Sequence, residues 1–301
     1  MKDPYLLHMF NPTKNVSPFD VNMAYEADFD GVIPYTDVSL EDIHSLTQDT
    51  IFSRGPSGVK RTGIFIGGRD FGLAMDMLQR AKAAMVPPFQ VSVFADPSGA
   101  ITTAAALVAS VEHSIGRLGK GGLSAKNIQI LGGTGPVGIC AGILASQVGA
   151  QVYLVSRRGL EIGEEMAREY NARYGADMRG GDSSGDAALE ACLAEADVVV
   201  GVAKAGVRVL STLQLQKAKR LLVAADVNAV PPPGIEGVEV RDKGKVLEGT
   251  PSKALSLGAL AIGDVKYKVH YQLFKLMTGS DGPVYLDHLK AFEVARSILA
   301  R

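Results

Sequence analysis

Ile128-Gln129-Ile130-Leu131-Gly132-Gly133-Thr134-Gly135-Pro136-Val137-Gly138 is the stretch that decides the fold. Its first four residues read as an apolar strand. Gly133, Gly135 and Gly138 then match the spacing G-x-G-x-x-G, and an apolar helix follows. The glycine pattern alone is weak; set between a strand and a helix, it marks the first turn of a dinucleotide-binding βαβ unit. Gly133 is expected to make the tight turn. Gly135 leaves room for a pyrophosphate to reach the backbone, and Gly138 lets the helix pack closely on the strand. Thr134, Pro136 and Val137 lie among them at the helix start, where unsatisfied N–H groups and the helix dipole favour an anion. A glycine turn that binds nothing is the alternative.

The end of the next strand separates the two nicotinamide cofactors. An NAD reader usually places a carboxylate about 20 residues after the glycine loop, on the ribose hydroxyls. Here the strand 151–156 ends in Ser156-Arg157-Arg158. No carboxylate stands there to repel a 2′-phosphate, while a hydroxyl and two guanidinium groups can bind one. The pattern predicts NADP, with NAD as a possible second cofactor. A solvated basic turn is the plainer reading.

Working outward, the same alternation covers the chain. Strands are expected at 5–9, 31–35, 62–68 and 91–95, with helices from 21 to 27, from Ser39 onward, from 71 to 84 and from 102 to 118. Pro18-Phe19-Asp20 is read as a chain break. After the flexible Gly119-Lys-Gly-Gly122, a second series runs: helices 135–148, 159–174 and 187–195, strands 197–203 and 220–225, and a polar glycine loop at 180–186. Residues 265–277 and 285–299 read as terminal helices. Parallel strands need helical crossovers, so this order implies α/β architecture: two α/β domains, the C-terminal one Rossmann-like with a parallel sheet. Ala203 closes the strand 197–203, and Asp226 and Asn228 follow the strand 220–225. The carboxyl ends of such strands face the ligand crevice, so these three are candidate cofactor contacts.

Composition bounds the rest. The chain has 301 residues, 47% hydrophobic and 21% charged, enough for two domains with a substantial core. Its net charge of -1 offers no general attraction to nucleic acid or to an anionic membrane. Cys140 and Cys192 sit in helix-like contexts, and the five histidines show no ligand spacing, so no metal is expected. The apolar run in MKDPYLLHMF is too short for a signal peptide, and no run reaches the roughly 20 residues that span a bilayer. A cytoplasmic location is the expectation.

Further stretches carry a resemblance. They are Ser17-Pro-Phe-Asp-Val21, Phe52-Ser-Arg54, Ile64-Phe-Ile-Gly-Gly68, Pro88-Phe89, Asp96-Pro-Ser-Gly-Ala-Ile-Thr-Thr-Ala104, Gly132 to Gly138, Ala225-Asp-Val-Asn-Ala-Val-Pro-Pro232 and Gly263-Asp-Val-Lys-Tyr267. In kind and order they resemble the bacterial NAD(P)-dependent methylene-tetrahydromethanopterin dehydrogenases. Two branches share these motifs. LLHMFNPTKNVSPFDVNMA is more like the dual-cofactor branch, whereas Ser156-Arg157-Arg158 is more like an NADP reader.

The resemblance implies two α/β domains flanking a cleft. The pterin would lie on residues 1–118 with 278–301, and NADP on residues 119–277. It also implies a homo-oligomer, and reversible hydride transfer from methylene-tetrahydromethanopterin to NADP+ in one-carbon oxidation. Such a transfer needs no general base, because two flanking nitrogens stabilise the product cation. Lys266 matches a family lysine near the reacting carbon; a surface lysine is the alternative. Phe19 would pack on the substrate rings or belong to the core. Asp20 would bind pterin N–H groups or cap the following helix. Thr102 and Thr103 would line the cleft or cap the long helix, and Asp96 divides the same way. Arg54 and Arg69 would meet an anionic tail or stay solvated. Tyr25 has no lysine four residues on, so no cyclohydrolase activity is expected. A methylene-tetrahydrofolate dehydrogenase and a non-catalytic NADP-binding regulator are the competing readings.

Overall fold

The computed structural model describes residues 3–300. The chain sorts into two compact units. One takes in residues up to Thr102 together with Tyr267–Val294, the other Thr103–Lys266 and the residues from Ala295 on. All three divisions fall within helices, Ala100–Arg117, Ala259–Gly279 and His288–Leu299.

The first unit is built on the strands β1 (Leu6–Phe10), β2 (Gly31–Tyr35), β3 (Thr62–Ile66) and β4 (Ser92–Ala95), with the short strand Tyr285–Leu286 at one edge. All pairings are parallel, in the order Tyr285–Leu286, β4, β3, β1, β2. All residues of β3 and β4 are buried, as expected of a parallel sheet covered on both faces. The connection leaving β1 runs to β2 on one side, and that leaving β3 runs to β4 on the other. Their adjacent carboxyl ends therefore form a switch point, where doubly wound sheets hold ligands.

The second unit contains β5 (Asn127–Leu131), β6 (Gln151–Ser156), β7 (Met178–Asp182), β8 (Val198–Gly201), β9 (Val223–Asp226), β10 (Lys243–Val246) and β11 (Leu255–Leu257). Their order is β10-β11-β9-β8-β5-β6-β7, parallel except for the β10–β11 edge pair. Without β10 this is the order of a Rossmann sheet, with its switch point between β5 and β8. A core of Leu131, Val155, Leu193, Val199, Leu210 and Leu221 lies under one face.

The sequence reading misplaced several boundaries. Pro18-Phe19-Asp20 does not break the chain; it is the first turn of the helix Pro18–Glu26. Proline fits there because the first helical N–H has no partner in the helix. The helix expected from Ser39 begins at Ile43, and Asp42 instead accepts from the Ser39 amide (2.8 Å) and hydroxyl (2.7 Å). The helix expected from residue 265 begins at Ala259, and the stretch 285–299 opens as a strand before the helix His288–Leu299. The glycine loop 180–186 is half strand. Gly180 and Gly181 lie in β7, because the helix Leu160–Tyr174 packs directly upon it. A Cβ on Gly180 would stand 2.5 Å from the Glu164 amide nitrogen, and one on Gly163 would stand 2.5 Å from the Leu154 carbonyl oxygen. Among the described residues, no helix is long and apolar enough to cross a membrane.

Candidate cofactor and substrate sites

The turn after β5 begins one residue earlier than the motif suggests. Gly132, at φ +78°, supplies the left-handed conformation. A Cβ there would lie 2.7 Å from the Ala203 Cα, so this glycine also lets the loop after β8 come close. The expected turn-former Gly133 instead permits close approach to β6: a Cβ would stand 2.7 Å from the Ile130 oxygen and 2.9 Å from the Leu154 Cα. Gly138 allows close packing, as its pattern position implied; a Cβ there would lie 2.5 Å from the Gly133 oxygen. Gly135 differs from all of these. Its nearest neighbour to a Cβ would be the Gly132 oxygen at 3.7 Å, an ordinary van der Waals contact, with open space beyond. It precedes the helix Pro136–Gln147, with proline at the first helical position.

That open space is a cavity of about 940 Å³. Gly132, Thr134, Gly135, Pro136 and Val137 line it from β5, and Ala203 and Lys204 from β8. Ser156, Arg157 and Arg158 line it from β6, and Ser183, Ser184 and Gly185 from β7. Arg157 and Arg158 are exposed, whereas Ser156 is buried and its Oγ accepts from the Arg158 amide at 3.0 Å. Ser156 thus shapes the basic turn and presents the two guanidinium groups. Ser156 pairs in register with Asp182, which puts Ser183 and Ser184 at the same sheet edge as the arginines. The Ser183 amide donates to the Ser156 carbonyl (3.0 Å), and Asp182 Oδ1 accepts from the Ser184 amide (2.8 Å). The latter bond holds the half-buried Asp182 carboxyl below the usual range.

Lys204 and Arg208 add positive charge to the wall, Arg208 paired with Glu236 at 2.9 Å. A pyrophosphate with a further phosphate has the volume, the cations and the helix terminus it needs here. Ser183, Ser184 and these two cations were not singled out from the sequence. The signal was positional, since each follows a strand at the crevice end.

Asp226 and Asn228 serve the loop that follows them and do not line the cavity. Asp226 accepts from the amides of Asn228 and Ile235, both at 3.0 Å. Burial nevertheless raises its pKa. Asn228 Oδ1 accepts from Gly206 (3.2 Å) and Val230 (3.0 Å), and its Nδ2 donates to the Pro232 carbonyl (2.8 Å). They tie the prolines 231–233 to the end of β9.

The first unit has its own cavity, of about 240 Å³, at the β1/β3 switch point. Asn11, Thr13, Asp20, Gly68, Arg69 and Ser98 are among its walls. Asn11 Nδ2 donates to the carbonyls of Thr13 and Asn15, both at 2.7 Å, and so shapes the loop after β1. Gly68, at φ +99°, is needed beside that loop, because a Cβ would stand 2.7 Å from the Pro12 Cγ.

Asp20 is buried in the third position of its helix and is not the cap; Ser17 occupies that place. Phe19 is partly exposed and meets the His270 ring edge-on at 5.3 Å. Asp96 is fully buried and caps the long helix: Oδ1 accepts from the amides of Ile101 (2.9 Å) and Thr102 (3.1 Å). Its Oδ2 accepts from the Thr102 hydroxyl at 2.6 Å. Thr102 therefore supports Asp96, and the half-buried Thr103 follows it in the helix. Lys266 is half-buried on Ala259–Gly279. Arg54 is neither solvated nor at a cavity; it donates to the carbonyls of Pro4 and Arg61 (both 3.1 Å) and to Thr62 Oγ1 (2.9 Å). Arg69 is exposed at the cavity wall. Among the described residues, no cluster of three or more metal-ligating His, Cys, Asp or Glu side chains occurs.

Fold and cavities together define a two-unit α/β protein whose second unit has the Rossmann, dinucleotide-binding type of sheet. Similar folds occur in quinate dehydrogenase from Corynebacterium glutamicum in complex with NAD (TM-score 0.56, 14% identity, 98% of this chain and 99% of that one). The NAD-dependent malic enzyme of Thermotoga maritima is another (TM-score 0.55, 16% identity, 97% and 84%). Residues 18–98 match the family model described as methylene-tetrahydromethanopterin dehydrogenase, N-terminal. The NAD(P)-dependent methylenetetrahydromethanopterin dehydrogenase of Methylorubrum extorquens is 44% identical over 97% of this chain and 98% of its own. The bifunctional protein MdtA of the same organism is 32% identical over 92% and 93%. The chain belongs to the methylene-tetrahydromethanopterin dehydrogenase family.

Proposed function

We propose that this protein catalyses reversible hydride transfer from methylene-tetrahydromethanopterin to NADP+, with NAD+ as a second acceptor. The product is methenyl-tetrahydromethanopterin, a step of one-carbon (formaldehyde) oxidation. The observation that carries the reading is the 44% identity, over nearly the whole of both chains, to a relative named for that activity. NADP+, when bound, supplies the hydride acceptor in its nicotinamide ring.

The chain's own residues do the rest. Gly135 and the start of the helix Pro136–Gln147 receive the pyrophosphate, and Thr134, Val137, Ala203 and Lys204 surround it. Arg157 and Arg158, presented by Ser156, take the 2′-phosphate. The substrate side falls to the cavity of the first unit. Asp20 offers it acceptors and Phe19 an apolar face, while Thr102 and Asp96 fix the helix beneath. Thr103 and Lys266 are assigned to placing the reacting carbon, and Asp226 and Asn228 to shaping the nicotinamide side from behind. Of the two compact units, the residues up to Thr102 with Tyr267–Val294 serve the pterin, and the remainder serves the cofactor. No side chain has to take a proton, which agrees with a design that places reactants and supplies charge.

The family resemblance also supports a homo-oligomer acting in the cytoplasm. The test is NADPH formation followed by absorbance, with methylene-tetrahydromethanopterin and methylene-tetrahydrofolate each paired with NADP+ and NAD+. Turnover fastest with the methanopterin substrate and NADP+ is expected. Preference for the folate would move the protein to the folate reaction. Cofactor binding without turnover of either pterin would make it a regulator.

A further inference from the structure

His270 was one of five scattered histidines in the sequence, yet it lies at the centre of the substrate unit. It is fully buried, and its ring is packed among Phe19, Phe94 and Phe274, with centroids 5.0–5.3 Å away. Its two nitrogens face two carboxylates. Nδ1 is 3.0 Å from Asp96 Oδ2, and Nε2 is 3.7 Å from Asp20 Oδ1.

Asp96 is already an acceptor for two helix amides and the Thr102 hydroxyl. An ionised carboxylate can only accept, so Nδ1 carries its proton toward Asp96. That fixes the ring plane and aims Nε2 at Asp20. Asp20 as a carboxylate is attracted by Nε2 when that nitrogen is also protonated, imidazolium against carboxylate. Asp20 is also among the residues that line the cavity, with Asn11, Thr13 and Ser98.

We propose that His270 is a positioning residue for substrate recognition. Anchored by Asp96 and Thr102, it sets the orientation of Asp20, so that this carboxyl group meets adjacent N–H donors on the heterocyclic edge of the pterin. A 2-aminopyrimidinone ring has two such donors side by side, spaced for the two oxygens of one carboxylate. The inference rests on the pterin dehydrogenase reading above and adds a residue and a recognition geometry to it.

The test is a double-mutant cycle of His270→Phe and Asp20→Asn in the full-length protein, read as KM for methylene-tetrahydromethanopterin, kcat and NADP+ affinity. His270→Phe keeps the aromatic packing and removes both nitrogens. It is expected to raise KM about tenfold or more, with NADP+ affinity unchanged. In the Asp20→Asn background most of that effect should vanish, because the histidine acts through Asp20. Equal KM effects in both backgrounds, or a change in thermal stability alone, would overturn the proposal.

If His270→Phe does not fold, the wild-type protein carries the test by nitrogen NMR of the imidazole. The Nε2 resonance should move on adding the pterin without cofactor while the Nδ1 resonance stays. An Nε2 signal indifferent to the pterin would refute the inference. Wild-type protein that neither binds nor turns over the pterin would refute the underlying functional reading instead.

Discussion

A Cβ atom on Gly138 would stand 2.5 Å from the carbonyl oxygen of Gly133. The obstacle is backbone, not the end of a flexible side chain, so the strain cannot be relieved by a rotamer change. Gly138→Ala should therefore displace the start of the helix Pro136–Gln147 from β5. Overpacking of this kind costs about 1–3 kcal/mol. A lowered thermal midpoint together with weaker NADP+ binding is expected, read by calorimetry. Gly135→Ala, whose Cβ would point into open space, should leave the midpoint near wild type and weaken cofactor binding alone.

Arg157 and Arg158 stand exposed beside a cavity with room for the dinucleotide. Arg157→Ala should weaken NADP+ binding by about 1.5–3 kcal/mol, the range for a charge-assisted hydrogen bond. NAD+, which lacks the 2′-phosphate, should bind nearly as before. Titration of both cofactors checks this, and equal losses for the two would count against the assignment of the phosphate site.

Asp226 yields a pH prediction with a definite sign. Burial raises its pKa above the ordinary 3.8, outweighing the bonds from the amides of Ile235, Asn228 and Gly234 that favour the charged form. The folded state then holds this proton to higher pH than the unfolded state does. Its contribution to stability is fully present below 3.8 and is lost as pH rises through the folded value. Urea unfolding of wild type and Asp226→Asn across that range should show the difference, wild type minus variant, falling with pH. A rising difference would mean that the amide bonds outweigh burial.

Lys266 is half-buried on its helix. Lys266→Ala should lower kcat about tenfold or more while leaving NADP+ affinity intact, since one preorganised charge near a reacting centre carries at least that much. Undiminished turnover would return it to a surface role.

The second half of the fold was the more legible in the sequence. A strand, a glycine turn and a helix are local features, and each leaves its mark within a dozen residues. The strands β10 and β11 escaped because they are short, and the edge strand β10 is largely exposed. β7 escaped because glycines that look like a loop are there for close helix packing, which depends on Glu164 and Leu154 elsewhere in the chain.

The same limit governs the sites. Ser156, Arg157 and Arg158 are contiguous and readable. Asp20, Asp96 and His270 come together from three distant segments, and only the fold shows that the histidine stands between two carboxylates. Asp226 and Asn228 were correctly placed at a strand end, but their polar atoms are turned to their own loop.

In the proposed reaction, hydride passes directly from the pterin's one-carbon bridge to the dinucleotide. This transfer is tested most directly with methylene-tetrahydromethanopterin deuterated at that bridge, in ordinary water, with the reduced cofactor examined by mass spectrometry and proton NMR. NADPH should carry one deuterium at the reacting carbon of the nicotinamide ring, with none lost to solvent. Reduced cofactor without deuterium, or deuterium released to water, would contradict direct transfer.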